Sequence, residues 1–272
     1  MHPSVQSKLR IQLRRYWNGI RHRLIHWLDI RLVRWYRLGD HQQSWYLKRL
    51  LSLLEIDLLI DVGGNNGQFA HFIRNKVGYR GHLITFEPIP ELARRLQEQA
   101  KQDPNWTVVN AALGDKPGNA TFNLMSSSPM SSLLKPRDDV TQRVSHLNTV
   151  RTTIPVSVLT LDGYLEGNDL FSSCKNIYLK LDVQGFEKRV LEGARASMQR
   201  IGALQAELSV IPIYQDQPDY KELMQYIDEC GYLLSFIPAH NYEQFPEMID
   251  FDCHFVQRER LALLGALRGR KS

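Results

Sequence analysis

The chain has 272 residues, 43% of them hydrophobic and 23% charged, enough to bury a full α/β core. Its three cysteines (Cys174, Cys230, Cys253) form no CxxC pair, so neither a disulfide framework nor a cysteine zinc site is suggested, and a reducing, cytoplasmic compartment is expected. The net charge of +5 is concentrated in residues 1–37, where nine Lys/Arg face Asp29 alone; the rest carries 25 basic residues against 28 acidic ones, which speaks against a global nucleic-acid-binding surface.

Residues 8–37 read as a helix, because Leu9, Leu13, Tyr16, Ile20, Leu24 and Trp27 recur at spacings of three and four with arginines between them. The same arginines interrupt every apolar run, so neither a signal peptide nor a membrane span is expected there. Gly39-Asp40 breaks the pattern, and residues 42–54 read as a second short amphipathic helix.

From Leu58 the texture becomes strand and helix in alternation. Strands are expected at Leu58–Val62, His82–Phe86 and Trp106–Asn110, with helices from Gly67 to Asn75 and from Pro90 to about Lys101. Short apolar runs bounded by turn residues in a βαβαβ rhythm indicate a parallel sheet covered on both faces. Between Gly114 and Asp162 the rhythm lapses, leaving strands at Ala120–Met125 and Pro155–Leu161 around a Ser/Pro/Met-rich loop of the lid type. It resumes with strands at Ile177–Val183, Ala203–Ser209, Tyr232–Ile237 and Cys253–Gln257, and helices at Phe186–Met198 and Tyr220–Cys230. The expected organisation is a basic helical arm over 1–54, a cofactor-binding domain over 55–258 and a basic tail over 259–272.

The first strand runs into Asp61-Val62-Gly63-Gly64-Asn65-Asn66-Gly67, an Asp-x-Gly-x-x-x-Gly turn of the kind an adenosyl cofactor needs. Gly63 and Gly67 let the backbone turn sharply and approach a ligand with no Cβ between. Asn65 and Asn66 tolerate left-handed backbone and offer amides, while Asp61 can orient the loop or reach a methionine ammonium. Glu87 follows the second strand, 20 residues beyond Gly67, where an acid accepts hydrogen bonds from both ribose hydroxyls. A GxGxxG fingerprint would need glycine at Asn65, and a phosphate loop would need Gly-Lys-Ser/Thr; neither is present.

Read together, Leu59–Gly67, Phe86-Glu87-Pro88, Asn110-Ala111-Ala112-Leu113-Gly114, Leu179–Glu187 and Glu207-Leu208-Ser209 with Pro212 and Tyr214 resemble the FkbM-type methyltransferases over roughly residues 55–258. The resemblance implies a seven-stranded class I methyltransferase sheet, mostly parallel with an antiparallel last strand. It also implies methyl transfer from S-adenosyl-L-methionine to a hydroxyl of a sugar, glycolipid or related small molecule, and it adds Asn110 to the cofactor-binding residues. Gln184 departs from the pattern, standing where many relatives have Glu, which weakens any role for a third carboxylate there.

Ligands of open α/β sheets sit beyond the carboxyl ends of the strands. Asp182 and Glu207 end neighbouring central strands and should face the transferred methyl, with Asp182 the first choice for general base. Both are hard oxygen ligands that a magnesium ion could bridge, though no third ligand is evident. Glu187 in a first helical turn and His254 in the last strand have sufficient structural explanations; Ser131 and Ser132 belong either beside the cofactor or to a lid. His240 and Asn241 are loop residues within possible reach of an acceptor.

The arm interleaves its arginines with Trp17, Trp27, Trp35, Tyr16 and Tyr36, which suits an anionic membrane surface as well as it suits packing on the domain or a second subunit. A second functional reading keeps the fold but not the turnover: a binding or scaffold protein that works through its arm.

Overall fold

The computed structural model describes residues 38–140, 148–239 and 247–269. The helix expected over 8–37, together with His240 and Asn241, lies outside the described residues. The chain divides into two compact units between His41 and Gln42, and the second carries the strands.

After the helix Leu38–Leu53 (α1), the elements run Leu58–Val62 (β1), Gln68–Phe72 (α2), His82–Phe86 (β2), Pro90–Ala100 (α3), Trp106–Val109 (β3), Ala112–Leu113 (β4) and Gly118–Met125 (β5). They continue with Val150–Leu159 (β6), Leu161–Glu166 (α4), Asp169–Ser172 (α5), Ile177–Leu181 (β7), Glu187–Glu192 (α6) and Ile201–Ser209 (β8). Tyr220–Glu229 (α7), Tyr232–Phe236 (β9), Asp250–Gln257 (β10) and Arg258–Gly269 (α8) complete the series.

Seven strands form one sheet in the order β3-β2-β1-β7-β8-β10-β9. Its neighbours pair in parallel except at β10, which runs antiparallel between β8 and β9. This is the class I methyltransferase sheet that the motifs implied. Strands buried on both faces read as continuous apolar runs, and the alternation within β1 shows why. Leu58, Ile60 and Val62 enter a cluster with α4, α6 and α7, whereas Leu59 enters the opposite cluster with Leu47, Leu50 and Leu51 of α1, Ala70 of α2 and Leu96 of α3.

Three local expectations change. Strands β4, β5 and β6 form a second sheet in the order β4-β6-β5, whose Ala112, Phe122, Val156 and Val158 make their own small core. The helix expected at Phe186–Met198 stops at Glu192. There the Asp162 carboxylate captures the amides of Ala196 and Ser197 and the Ser197 hydroxyl, at 2.9, 2.8 and 2.6 Å, so these amides bond outside any helix. The Ser/Pro/Met loop is pinned rather than free: Asn123 and Ser132 exchange backbone hydrogen bonds at 2.9 and 3.1 Å, and Ser132 is fully buried.

Candidate active site

β1, β2, β7 and β8 end along one edge of the sheet, and the second sheet stands over it. A cavity there is lined by Gly63 and Asn65, by Glu87, Pro88, Ile89 and Leu92, by Ala111 to Leu113, by Phe122, Ser131 and Leu133, and by Asp182, Gln184 and Glu207.

The turn after β1 is built on left-handed backbone, with φ of +87° at Gly63, +44° at Asn65 and +81° at Gly67. Both Gly63 and Gly64 donate their amides to the Phe86 carbonyl at 3.0 Å, tying the turn to the end of β2. A Cβ on Gly63 would lie 1.9 Å from the Asp182 carbonyl oxygen, so only glycine permits this approach to the end of β7.

Glu87 accepts from the Asn65 amide at 2.6 Å and from the Ile89 amide at 2.8 Å. It is 3% exposed, and burial pushes its carboxyl up to about 7 against the pull of those two amides. Asn110 donates its side-chain amide to the Glu87 and Pro88 carbonyls at 2.9 and 3.1 Å, supporting this corner without lining the cavity. Asn66 is exposed and Gly67 precedes α2, so both shape the turn from outside the cavity.

Asp61 is fully buried and faces sideways within the sheet, in register with Thr85 on one side and Lys180 on the other. Trp106 Nε1 donates to Thr85 Oγ1 at 2.9 Å, and Thr85 Oγ1 lies 3.5 Å from Asp61 Oδ2. Lys180 Nζ stands 3.2 Å from Asp61 Oδ1 and 3.2 Å from Asp182 Oδ2. Of the two roles expected of Asp61, this placement supports the loop-orienting one, through Lys180.

At the cavity floor Gln184 does what no carboxylate could. Its Nε2 donates to Glu207 Oε2 at 2.8 Å and to Asp182 Oδ1 at 3.3 Å, while its Oε1 accepts from the Tyr214 hydroxyl at 3.2 Å. The single proton of that hydroxyl is shared with the Met130 carbonyl, 2.5 Å away, and Ser132 Oγ donates to the Gln184 carbonyl at 2.8 Å. Gln184 holds φ +53°, a conformation that costs a non-glycine residue about 1–3 kcal/mol and that these contacts enforce. Gln184 and Tyr214 were visible only as words of the family pattern; their contact joins residues 30 apart and has no local signature.

Glu187 is buried and accepts from the Val183 and Gly185 amides at 3.1 and 3.3 Å, so it secures the loop entering α6. His254 is likewise structural: its Nδ1 meets the Tyr178 hydroxyl at 2.8 Å, and burial drives the ring down to about 3. Ser131 Oγ accepts from the Met125 amide at 3.2 Å, holding the cavity wall. Among the described residues no group of three or more His, Cys, Asp or Glu gathers in a way that could hold a metal ion.

The apolar slot between Ile89, Leu92 and Leu113 has the character an adenine ring requires, and Glu87 beside it has the acceptors a ribose diol requires. Two carboxyl groups beyond them suit a cationic sulfonium, so the residues present fit S-adenosylmethionine. Fold and site together define a class I, S-adenosylmethionine-dependent methyltransferase.

The methyltransferase FkbM domain matches residues 61–234. The chain belongs to the FkbM methyltransferase family. It is similar to the 2-O-methyltransferase NoeI of Sinorhizobium fredii (strain NBRC 101917 / NGR234), 25% identical over 202 residues that span 70% of this chain and 79% of that one. A solved structure of the FkbM methyltransferase from Methylobacillus flagellatus KT aligns with 16% identity and a TM-score of 0.48, covering 74% of this chain and 44% of the other. This chain therefore spans less than half the length of that protein. Magnesium protoporphyrin IX methyltransferase from Synechocystis PCC 6803, solved with S-adenosylmethionine bound, aligns at 9% identity and a TM-score of 0.42 over 84% of this chain and 86% of its own.

Proposed function

We propose that this enzyme methylates a hydroxyl group of a sugar, glycolipid or related small molecule. The observation that carries the proposal is the pair of carboxyl groups, Asp182 and Glu207, held at the cavity floor by one carboxamide. A hydroxyl attacks a methyl group poorly until its proton has somewhere to go, and a general base there adds about 10²–10⁴ in rate. The similarity to a 2-O-methyltransferase supports the same acceptor chemistry.

S-adenosylmethionine, when bound, supplies a methyl on a good leaving group. Glu87 accepts its ribose hydroxyls, with Gly63 and Asn65 forming the turn beside it and Asp61, Asn66, Gly67 and Asn110 fixing that turn from behind. Asp182 and Glu207 face the acceptor, and Phe122, Ser131 and Leu133 of the second sheet and its loop keep water out. Calorimetry with S-adenosylmethionine tests the donor half: binding that Glu87→Ala leaves unchanged refutes the ribose role. Screening mono- and oligosaccharides, glycolipids and amines with methyl-labelled donor tests the acceptor half; label transferred only to amines refutes it.

We further infer that residues 8–37 hold the enzyme at the cytoplasmic face of an anionic membrane, on the strength of their arginines and interleaved aromatics. Among the described residues no helix is long and apolar enough to cross a membrane. Co-sedimentation with phosphatidylserine vesicles should fall sharply in a Δ1–40 variant; equal binding by both proteins removes the anchor.

A further inference from the structure

We propose that Glu207 is the proton acceptor of the transfer reaction, and that the positive charge of the bound donor is what ionises it. The inference rests on the reading of this cavity as a hydroxyl-methylating site.

The two cavity acids differ in their partners. Asp182 stands 3.2 Å from Lys180 Nζ and is already paired with that ammonium. Among the described residues no cation pairs with Glu207. What faces it is neutral or negative: the Gln184 amide at 2.8 Å, Asp182 beyond β7, Glu187 of α6, Asp250 and Asp252 of β10, and Tyr214. Asp252 is its direct cross-strand partner and receives a hydrogen bond from Gln205 at 3.2 Å.

Burial and this ring of acids raise the Glu207 carboxyl well above the ordinary range. With no cation in the cavity, burial and the neighbouring acids favour the protonated form of Glu207. Gln184 donates to Oε2, which leaves Oε1 to carry that proton toward the cavity.

A cation within a few ångströms lowers a carboxyl by about 1–3 pKa units. A sulfonium held in this cavity would favour the ionised form of Glu207, its proton passing to solvent. Glu207 then takes the acceptor's hydroxyl proton as the oxygen–methyl bond forms and the carbon–sulfur pair returns to sulfur. The cation is consumed in that step, so Glu207 keeps the proton it has taken until the products leave. Base strength and donor charge rise and fall together, and a site holding spent, neutral donor has no ionised base.

The test needs no acceptor. S-adenosylmethionine and S-adenosylhomocysteine differ by the methyl and its charge, and calorimetry in buffers of different ionisation enthalpy counts the protons each displaces. Glu207 of the wild type should release its proton on binding the first and not the second, and the preference for the first should grow about 10- to 1000-fold with rising pH. Glu207→Gln should remove its share of both effects while still binding; protons contributed by the ligands themselves are common to both proteins and cancel. As a check independent of any variant, the infrared difference spectrum should show a protonated carboxyl lost with the cationic ligand only. Equal proton release by wild type and Glu207→Gln, or no carboxyl change, overturns the proposal while leaving the donor site intact. Failure of S-adenosylmethionine to bind at all overturns the donor site and the proposal with it.

Discussion

Adding a single methyl group at Gly63 should separate two demands that the cofactor turn places on its glycines. Gly63 and Gly78 have nearly the same backbone, φ +87° and +82°, so alanine at either pays the left-handed penalty of about 1–2 kcal/mol. Around Gly78 the new Cβ meets nothing within 4 Å, whereas at Gly63 it would lie 1.9 Å from the Asp182 carbonyl oxygen. Backbone, not a flexible side chain, must yield there, and by more than 1 Å to reach even 3.0 Å. Overpacking of this kind adds about 1–3 kcal/mol. A displacement of about 1 Å between cofactor turn and catalytic acid is worth roughly 10²-fold in turnover. Urea unfolding and calorimetry with S-adenosylmethionine on both variants provide the comparison. Gly78→Ala should lose about 1 kcal/mol and bind normally; Gly63→Ala should lose about 2–5 kcal/mol and bind far more weakly. Equal stabilities and equal affinities would refute the idea that the two strand ends are locked by contact.

Lys180→Met leaves the fully buried Asp61 without its counter-charge and should destabilise by about 3–5 kcal/mol in urea unfolding, with much of the loss recovered in Asp61→Asn/Lys180→Met. Recovery of nothing would mean that Lys180 acts by packing alone. Glu187, pushed up to about 7 from an ordinary 4.5, contributes stability that is complete below about pH 4.5 and lost as the pH rises through about 7. Glu187→Gln should therefore shrink the difference in unfolding free energy between pH 5 and pH 8 by up to about 3 kcal/mol; an unchanged difference would place the titration elsewhere. Tyr214→Phe removes the one hydroxyl proton that Met130 and Gln184 share and should cost about 1–3 kcal/mol; thermal unfolding that matches wild type would show the clamp to be idle.

The parallel sheet was readable because its strands are short, apolar on both faces and separated by helices with strong amphipathic texture. Glu87 was readable because its role depends on its distance from the glycine turn, a one-dimensional quantity. The second sheet was not, since its edges depend on cross-chain pairing: β4 is two residues long and exists only beside β6. The break in the 186–198 helix was hidden for a similar reason, because Asp162 reaches the freed amides from 34 residues away. At the active site the sequence named the acids but not their inequality. Lys180 lies two residues from Asp182 and is obvious once sought, whereas Gln184, read as a weakened carboxylate, takes its meaning from Glu207 and Tyr214, which only the fold brings near.

The sheet order has a consequence for synthesis. β9 leaves the ribosome before β10, yet among the described residues β10 is the only strand it pairs with, and β8 likewise waits for β10 on its outer edge. The nascent chain can assemble the cofactor half of the sheet early, but Ala203 to Ser209 and the whole of β9 keep open hydrogen-bonding edges until residue 257 has emerged. A stop codon or proteolytic cut anywhere before Asp250 therefore strips two strands from the sheet rather than one. Such a chain would carry an intact donor turn on an unclosed, aggregation-prone edge.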